Sequence, residues 1–75
     1  MPDSTYKVIE VIGSSPNSWE EAAGNAIAKV AEHVEDLRVA EVLAQDLKLD
    51  DGKVVGYRSK LSVSFRFHEA TELHR

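Results

Sequence analysis

The sequence predicts an α+β fold: a single domain in the order β-α-β-β, with a three-stranded antiparallel sheet packed on one helix. Three observations predict it. A run rich in β-branched residues opens the chain, an apolar stripe at helical spacing follows a serine cap, and two long alternating runs flank an Asp51-Gly52 pair.

The first strand is Tyr6-Lys7-Val8-Ile9-Glu10-Val11-Ile12, ending at Gly13. Gly13 to Asn17 is a short connection of turn-forming residues. Ser18 to Glu21 reads as a capping box, with the Ser18 hydroxyl accepting from the Glu21 N–H and Glu21 reaching back to Ser18. Glu20 and Glu21 suit the positive end of the helix dipole. Ala23, Ile27, Val30 and Val34 form the apolar stripe, and Ala22, Ala26 and Ala31 broaden it into a thin face that approaches a sheet closely. Lys29, Glu32, His33 and Asp36 lie opposite.

From Leu37 to about Leu49 the pattern alternates. Without a bulge, Leu37, Val39, Glu41, Leu43, Gln45, Leu47 and Leu49 share one face. The Asp51-Gly52 pair predicts a tight hairpin. Beyond it, Val55, Tyr57, Leu61, Val63, Phe65 and Phe67 share one face, interrupted by Ser59, and Arg58, Lys60, Ser62, Ser64 and Arg66 share the other. The ordered core is expected over about 5–68, with a polar tail over 69–75.

With 75 residues the chain holds one domain of thin stability margin, and with no cysteine it has no disulfide to brace it. A long sheet covered by one alanine-rich helix leaves edges and apolar area open, so a closed homo-oligomer is expected. The net charge of −4, without a basic run, argues against nucleic acid as a partner. The apolar segments are too short to span a bilayer, and residues 1–5 lack the character of a signal peptide, so no membrane partner and a cytoplasmic location are expected.

No catalytic constellation appears, and the protein is not expected to be an enzyme. Ser14, Ser15 and Ser18 read as turn and cap residues. Asp46, Asp50 and Asp51 lack the spacing of a calcium-binding loop and read as a solvated hairpin tip. Trp19 reads as a packing residue.

Taken together, Tyr6 to Pro16, the helix start Ser18-Trp19-Glu20, Leu37-Arg38-Val39-Ala40-Glu41-Val42, the Asp51-Gly52-Lys53 turn and Val63-Ser64-Phe65-Arg66-Phe67 resemble the dodecin family from about Tyr6 to Phe67. The resemblance implies a hollow homododecamer of tetrahedral symmetry that stores or buffers flavins, some bacterial members binding coenzyme A. It also implies where the flavin pocket would fall. Val39 stands where flavin-binding members carry a stacking tryptophan, and Arg58 where they carry a glutamine that bonds the ring edge. Losing an indole face removes on the order of 100 Å² of apolar contact, about 2.5 kcal/mol, and stacking adds roughly 0.5–1.5 kcal/mol. Flavin affinity is therefore expected to fall at least about a hundredfold.

Ser18-Trp19-Glu20, Leu37 to Ala40, Gln45-Asp46, Tyr57-Arg58 and Lys60-Leu61 are similar to the mycobacterial calcium-dodecin branch, although an acidic position common there is Ala44 here. That likeness implies calcium as the ligand without assigning its ligands; carboxylates such as Glu20 or Asp46 are the candidates in this sequence. The alternatives are a flavin-sequestering shell, a coenzyme A or other anion binder using Arg58, Lys60 and Arg66, and a purely structural oligomer with no ligand.

Overall fold

The computed structural model describes residues 5–66, in the order β1 (Tyr6–Ser15), α1 (Trp19–Ala31), β2 (Leu37–Asp50) and β3 (Lys53–Arg66). The sheet order is β1-β3-β2, with both neighbours antiparallel to β3. The expected β-α-β-β fold is therefore present. The expected tail, with Phe67, His68 and His74, lies outside the described residues.

β1 runs three residues further than its β-branched stretch predicts. Gly13, Ser14 and Ser15 stay in the ladder opposite Ser59, Arg58 and Tyr57 instead of forming part of the connection. Gly13 is needed there because α1 rests directly on it. A Cβ at this position would come 2.0 Å from the Ala22 carbonyl oxygen.

Ser18 caps α1 as expected, its side chain accepting from the Glu21 N–H at 3.0 Å. Glu21 does not return the bond. Its Oε1 instead accepts from the Ser15 hydroxyl and from Asn17 Nδ2, tying the helix start to the end of β1. The buried helical residues are Ala22, Ala26 and Val30, flanked by half-buried Ala23 and Ile27, while Ala31 is exposed. Small side chains thus form the seat. α1 sits over β1 and β3, and Leu61 and Val63 fill the space beneath it.

The hairpin turn has φ 53° at Asp51 and 77° at Gly52, the paired positive values of a type I′ turn. Beyond it the expected alternation on β2 fails, because the register steps three times. Leu49 faces Val54 but Lys48 faces Gly56, so Val55 is an extra residue on β3. Ala44 faces Lys60 but Val42 faces Leu61, so Leu43 is extra on β2. Arg38 is extra between Leu37 and Val39. Each such bulge reverses the side to which later residues point. Leu37, Gln45 and Leu47 therefore share the helix side with Phe65, Ser59 and Tyr57, whereas Val39 and Glu41 share the open side with Ser64 and Ser62. On β3, Val55 leaves the inner face at its bulge and is exposed, while Ser59, expected to interrupt that face, is fully buried within it.

β2 is an edge strand of fourteen residues, none of them buried. Val39, Val42, Leu43, Leu47 and Leu49 on it, with Val54 and Val55 across the hairpin, are between 43 and 63 % exposed. The chain measures 52 × 24 × 14 Å with a radius of gyration of 15.4 Å, against roughly 11 Å for a compact chain of this length. Its buried apolar set among the described residues is Ala22, Ala26, Val30, Leu61 and Val63. The physical consequence is a subunit that leaves much of its apolar surface uncovered.

Candidate functional site

The polar side chains gather on the open face of the sheet, opposite α1. Pairing places Ser14, Arg58 and Asp46 in one row across the three strands, Ile12, Lys60 and Ala44 in the next, then Glu10, Ser62 and Glu41, then Val8, Ser64 and Val39. Residues directly opposite one another in an antiparallel sheet point to the same side, so each row is a set of neighbours.

The first row holds the best-defined ionic contact of the described residues. Arg58 Nε donates to Asp46 Oδ1 at 2.7 Å and a terminal guanidinium nitrogen to Oδ2 at 2.8 Å, a two-point fork. The bulges create this pair. In the register set by the turn, where Asp50 faces Lys53, Asp46 would oppose Tyr57. The extra Val55 shifts the ladder by one residue, and the extra Leu43 restores it further on. The bond to Arg58 holds the Asp46 carboxyl below its usual range, and the same bond raises the Arg58 guanidinium.

Trp19 joins this row to the helix. Its indole N–H donates to the Asp46 carbonyl at 3.1 Å, and its ring meets Tyr57 edge to face, with centroids 5.2 Å apart. Its own carbonyl accepts from the buried Ser59 hydroxyl at 3.0 Å. Trp19 is thus the packing residue expected from sequence, with a polar contact to Asp46 in addition. Beside it, Glu21 is held below its usual carboxylate range, first by Ser15 and then by Asn17.

The candidate residues do not converge within one chain. Val39 and Arg58 share the open face but are separated by six positions of β3, roughly 20 Å along the strand. Val39 is 63 % exposed and opposes Ser64. Lys60 pairs with Glu10 at 3.5 Å, so Arg58 and Lys60 both face carboxylates. Arg66 lies eight residues from Arg58, opposite Tyr6. Glu20 is exposed in the first turn of α1. Among the described residues no group of three His, Cys, Asp or Glu comes together to hold a metal. A shallow cleft of about 210 Å³ adjoins the Arg58 row, lined by Ser14, Ser15, Pro16, Lys48, Val55 and Gly56, and is smaller than the roughly 300 Å³ usual for organic ligands.

Glu10, Ser15 and Asn17 also belong to this region, which the sequence pattern alone does not reveal. Glu10 becomes visible only through the β1–β3 register. The cluster of hydroxyl and amide residues just before the helix is the sequence signal for Ser15 and Asn17, and it equally suits turn chemistry.

An open sheet edge, a thin helix and site residues dispersed over one face define a class: a small β-α-β-β chain with one long uncovered sheet. The dodecin family model matches residues 5–68, and the chain belongs to the dodecin family. It is 48 % identical over 67 residues to calcium dodecin of Mycobacterium tuberculosis, covering 89 % of this chain and 94 % of that protein. The crystal structure of a calcium dodecin from that organism, described as calcium-chelating, superposes with a TM-score of 0.80 at 46 % identity, covering 89 % of this chain and 96 % of the other. Dodecin from Streptomyces coelicolor superposes with a TM-score of 0.87 at 32 % identity, covering 92 % and 99 %.

Proposed function

We propose that this chain is the subunit of a hollow homododecameric shell that binds and stores a small ligand, calcium before any other, and catalyses no reaction. The observation that carries the shell is β2, an edge strand of fourteen residues without one buried side chain. Its apolar residues need cover, and closed symmetry supplies it without open-ended aggregation. Among the described residues no helix is long and apolar enough to cross a membrane, and the reading places the shell in the cytoplasm.

Calcium is supported by kinship with a protein named calcium dodecin and by charge. Twelve copies at −4 total −48, a field that favours a hard divalent cation. The donors fit in kind, since calcium takes six to eight oxygens from carboxylates, carbonyls and water. They do not fit in number within one chain, so Asp46 and Glu20 would act with oxygens from neighbouring copies. Flavin ranks below calcium because Val39 offers no ring face, and coenzyme A ranks below it because Arg58 and Lys60 are already paired.

The test is sedimentation and thermal melting of the purified protein with calcium or with EDTA. One high-mass species at micromolar concentration, stabilised by calcium and destabilised by EDTA, is the expected result. Folded single chains on dilution would remove the shell, and an absence of both binding heat and melting shift would remove calcium.

A further inference from the structure

The pairs from Ala44 with Lys60 to Lys48 with Gly56 stand one residue out of step with the pairs on either side, Val42 with Leu61 and Leu49 with Val54. The extra residues that bound them lie on opposite strands, Leu43 on β2 and Val55 on β3, so the two offsets cancel. A ladder without either bulge therefore exists for the same turn and the same far end. In it Leu43 would face Lys60, Ala44 Ser59, Gln45 Arg58, Asp46 Tyr57, Leu47 Gly56 and Lys48 Val55. We infer that this second register is a conformational alternative built into the β2–β3 hairpin, and that Asp46 is the pin that holds the observed one. The alternative is a property of the hairpin and needs no ligand.

Three observations carry the inference. First, β2 is an edge strand without one buried side chain, and a strand anchored on neither face is weakly specified in register. Second, removing both bulges pairs two residues that the observed ladder leaves over, which offsets part of what a shift would lose. Third, the side-chain bonds that fix this segment among the described residues all end on Asp46. Arg58 forks onto its carboxylate at 2.7 and 2.8 Å, and the Trp19 indole donates to its carbonyl at 3.1 Å. The fork is half-exposed, at 53 % for Asp46 and 47 % for Arg58, and an ion pair this open is weakly held.

The shift would change what the open face presents. Each residue from Ala44 to Asp50 would turn to the other side, while Tyr57 to Lys60 stay fixed by their pairing with β1. Asp46 and Lys48 would leave the open face, and Leu43, Gln45 and Leu47 would join it. Arg58 would then face an amide in place of a carboxylate. The observed register is the ground state because it keeps Leu47 beside Tyr57 on the helix side and both charges on the open one. The second register is a minor state that exchanges a charged stretch of face for an apolar one, so whatever covers β2 selects between them.

The chain has no cysteine, so introduced pairs report the register directly. A44C/K60C spans a pair of the observed ladder, whereas Ala44 and Ser59 lie on opposite sides of the sheet and meet only in the second register. The purified full chain is oxidised with glutathione disulfide, without added calcium, and closure within each chain is read by denaturing electrophoresis and peptide mass. A44C/K60C closes first. A44C/S59C closes slowly, and adding D46N raises its rate roughly two- to fivefold, the range in which open ion pairs act. D50N, which removes a charge beside the turn, leaves that rate unchanged. Deleting Leu43 and Val55 together keeps the observed pairs in one unbroken ladder and abolishes A44C/S59C closure. The inference is overturned if A44C/S59C stays open with and without D46N, if D46N and D50N accelerate it alike, as fraying would, or if closure survives the double deletion. Should the double deletion fail to fold, the comparison of D46N with D50N decides alone. A44C/K60C that stays open overturns the observed register and the inference with it.

Discussion

Replacing Gly13 by alanine should damage the subunit more than any other single methyl group added to β1. The new Cβ would lie 2.0 Å from the Ala22 carbonyl oxygen and 2.8 Å from the Ala26 Cβ. Both atoms belong to the body of α1, so no rotamer relieves the clash. Carbon and oxygen come to rest near about 3.3 Å, which requires the helix to lift by more than about 1 Å. A gap of that size forfeits roughly a quarter to a half of each dispersion contact at the seat formed by Ala22, Ala26 and Val30 over Leu61 and Val63. Overpacking of this kind costs typically about 1–3 kcal/mol, and a clash against backbone belongs at the upper end. For a domain of this size about 3 kcal/mol lowers Tm by roughly 12–24 °C. Circular dichroism melts of G13A beside G24A provide the assay. A Cβ at Gly24 meets nothing within 4 Å, so G24A should gain up to about 1 kcal/mol from helix propensity. G13A melting within roughly 3 °C of the wild type would refute the close seat, and with it the account of how α1 brings Trp19 to Asp46.

Three further outcomes are expected. Asp46 and Glu21 both titrate below their usual range in the folded chain, so their contributions are complete above the unfolded-state carboxylate values, about 3.9–4.3, and disappear as pH falls through the depressed folded ones. Tm should therefore hold from neutral pH to about 5 and fall below about 4, with a shallower fall in D46N and E21Q when melts are compared across that window. The double variant V39W/R58Q should bind riboflavin at least about a hundredfold more tightly than the wild type, read by quenching of flavin fluorescence. V42E places a charge on a half-exposed apolar position of the open edge. Sedimentation should show smaller or unfolded species if copies cover that edge, and an unchanged mass would exclude Val42 from the interface.

What the sequence determined by itself is local. The β-α-β-β order, the Ser18 cap, the Asp51-Gly52 turn and the inward row Tyr57, Leu61 and Val63 all follow from residues within a few positions of one another. Capping, turn type and strand alternation are short-range effects, legible without knowing what lies across the sheet. Tertiary structure decided the rest. Alternation predicts a face only while the ladder is unbroken, and the extra residues at Arg38, Leu43 and Val55 reverse it three times. That is why Val39 and Leu47 point to opposite sides although they occupy matching positions in the pattern. The same shift makes Asp46 and Arg58 partners. Glu21 becomes an acceptor for Ser15 and Asn17 instead of the expected cap partner for a separate reason, that β1 continues beneath the helix start. Pairing across strands depends on register, and register is set by the sum of turn and bulges along the whole hairpin, a quantity that no window of the sequence contains.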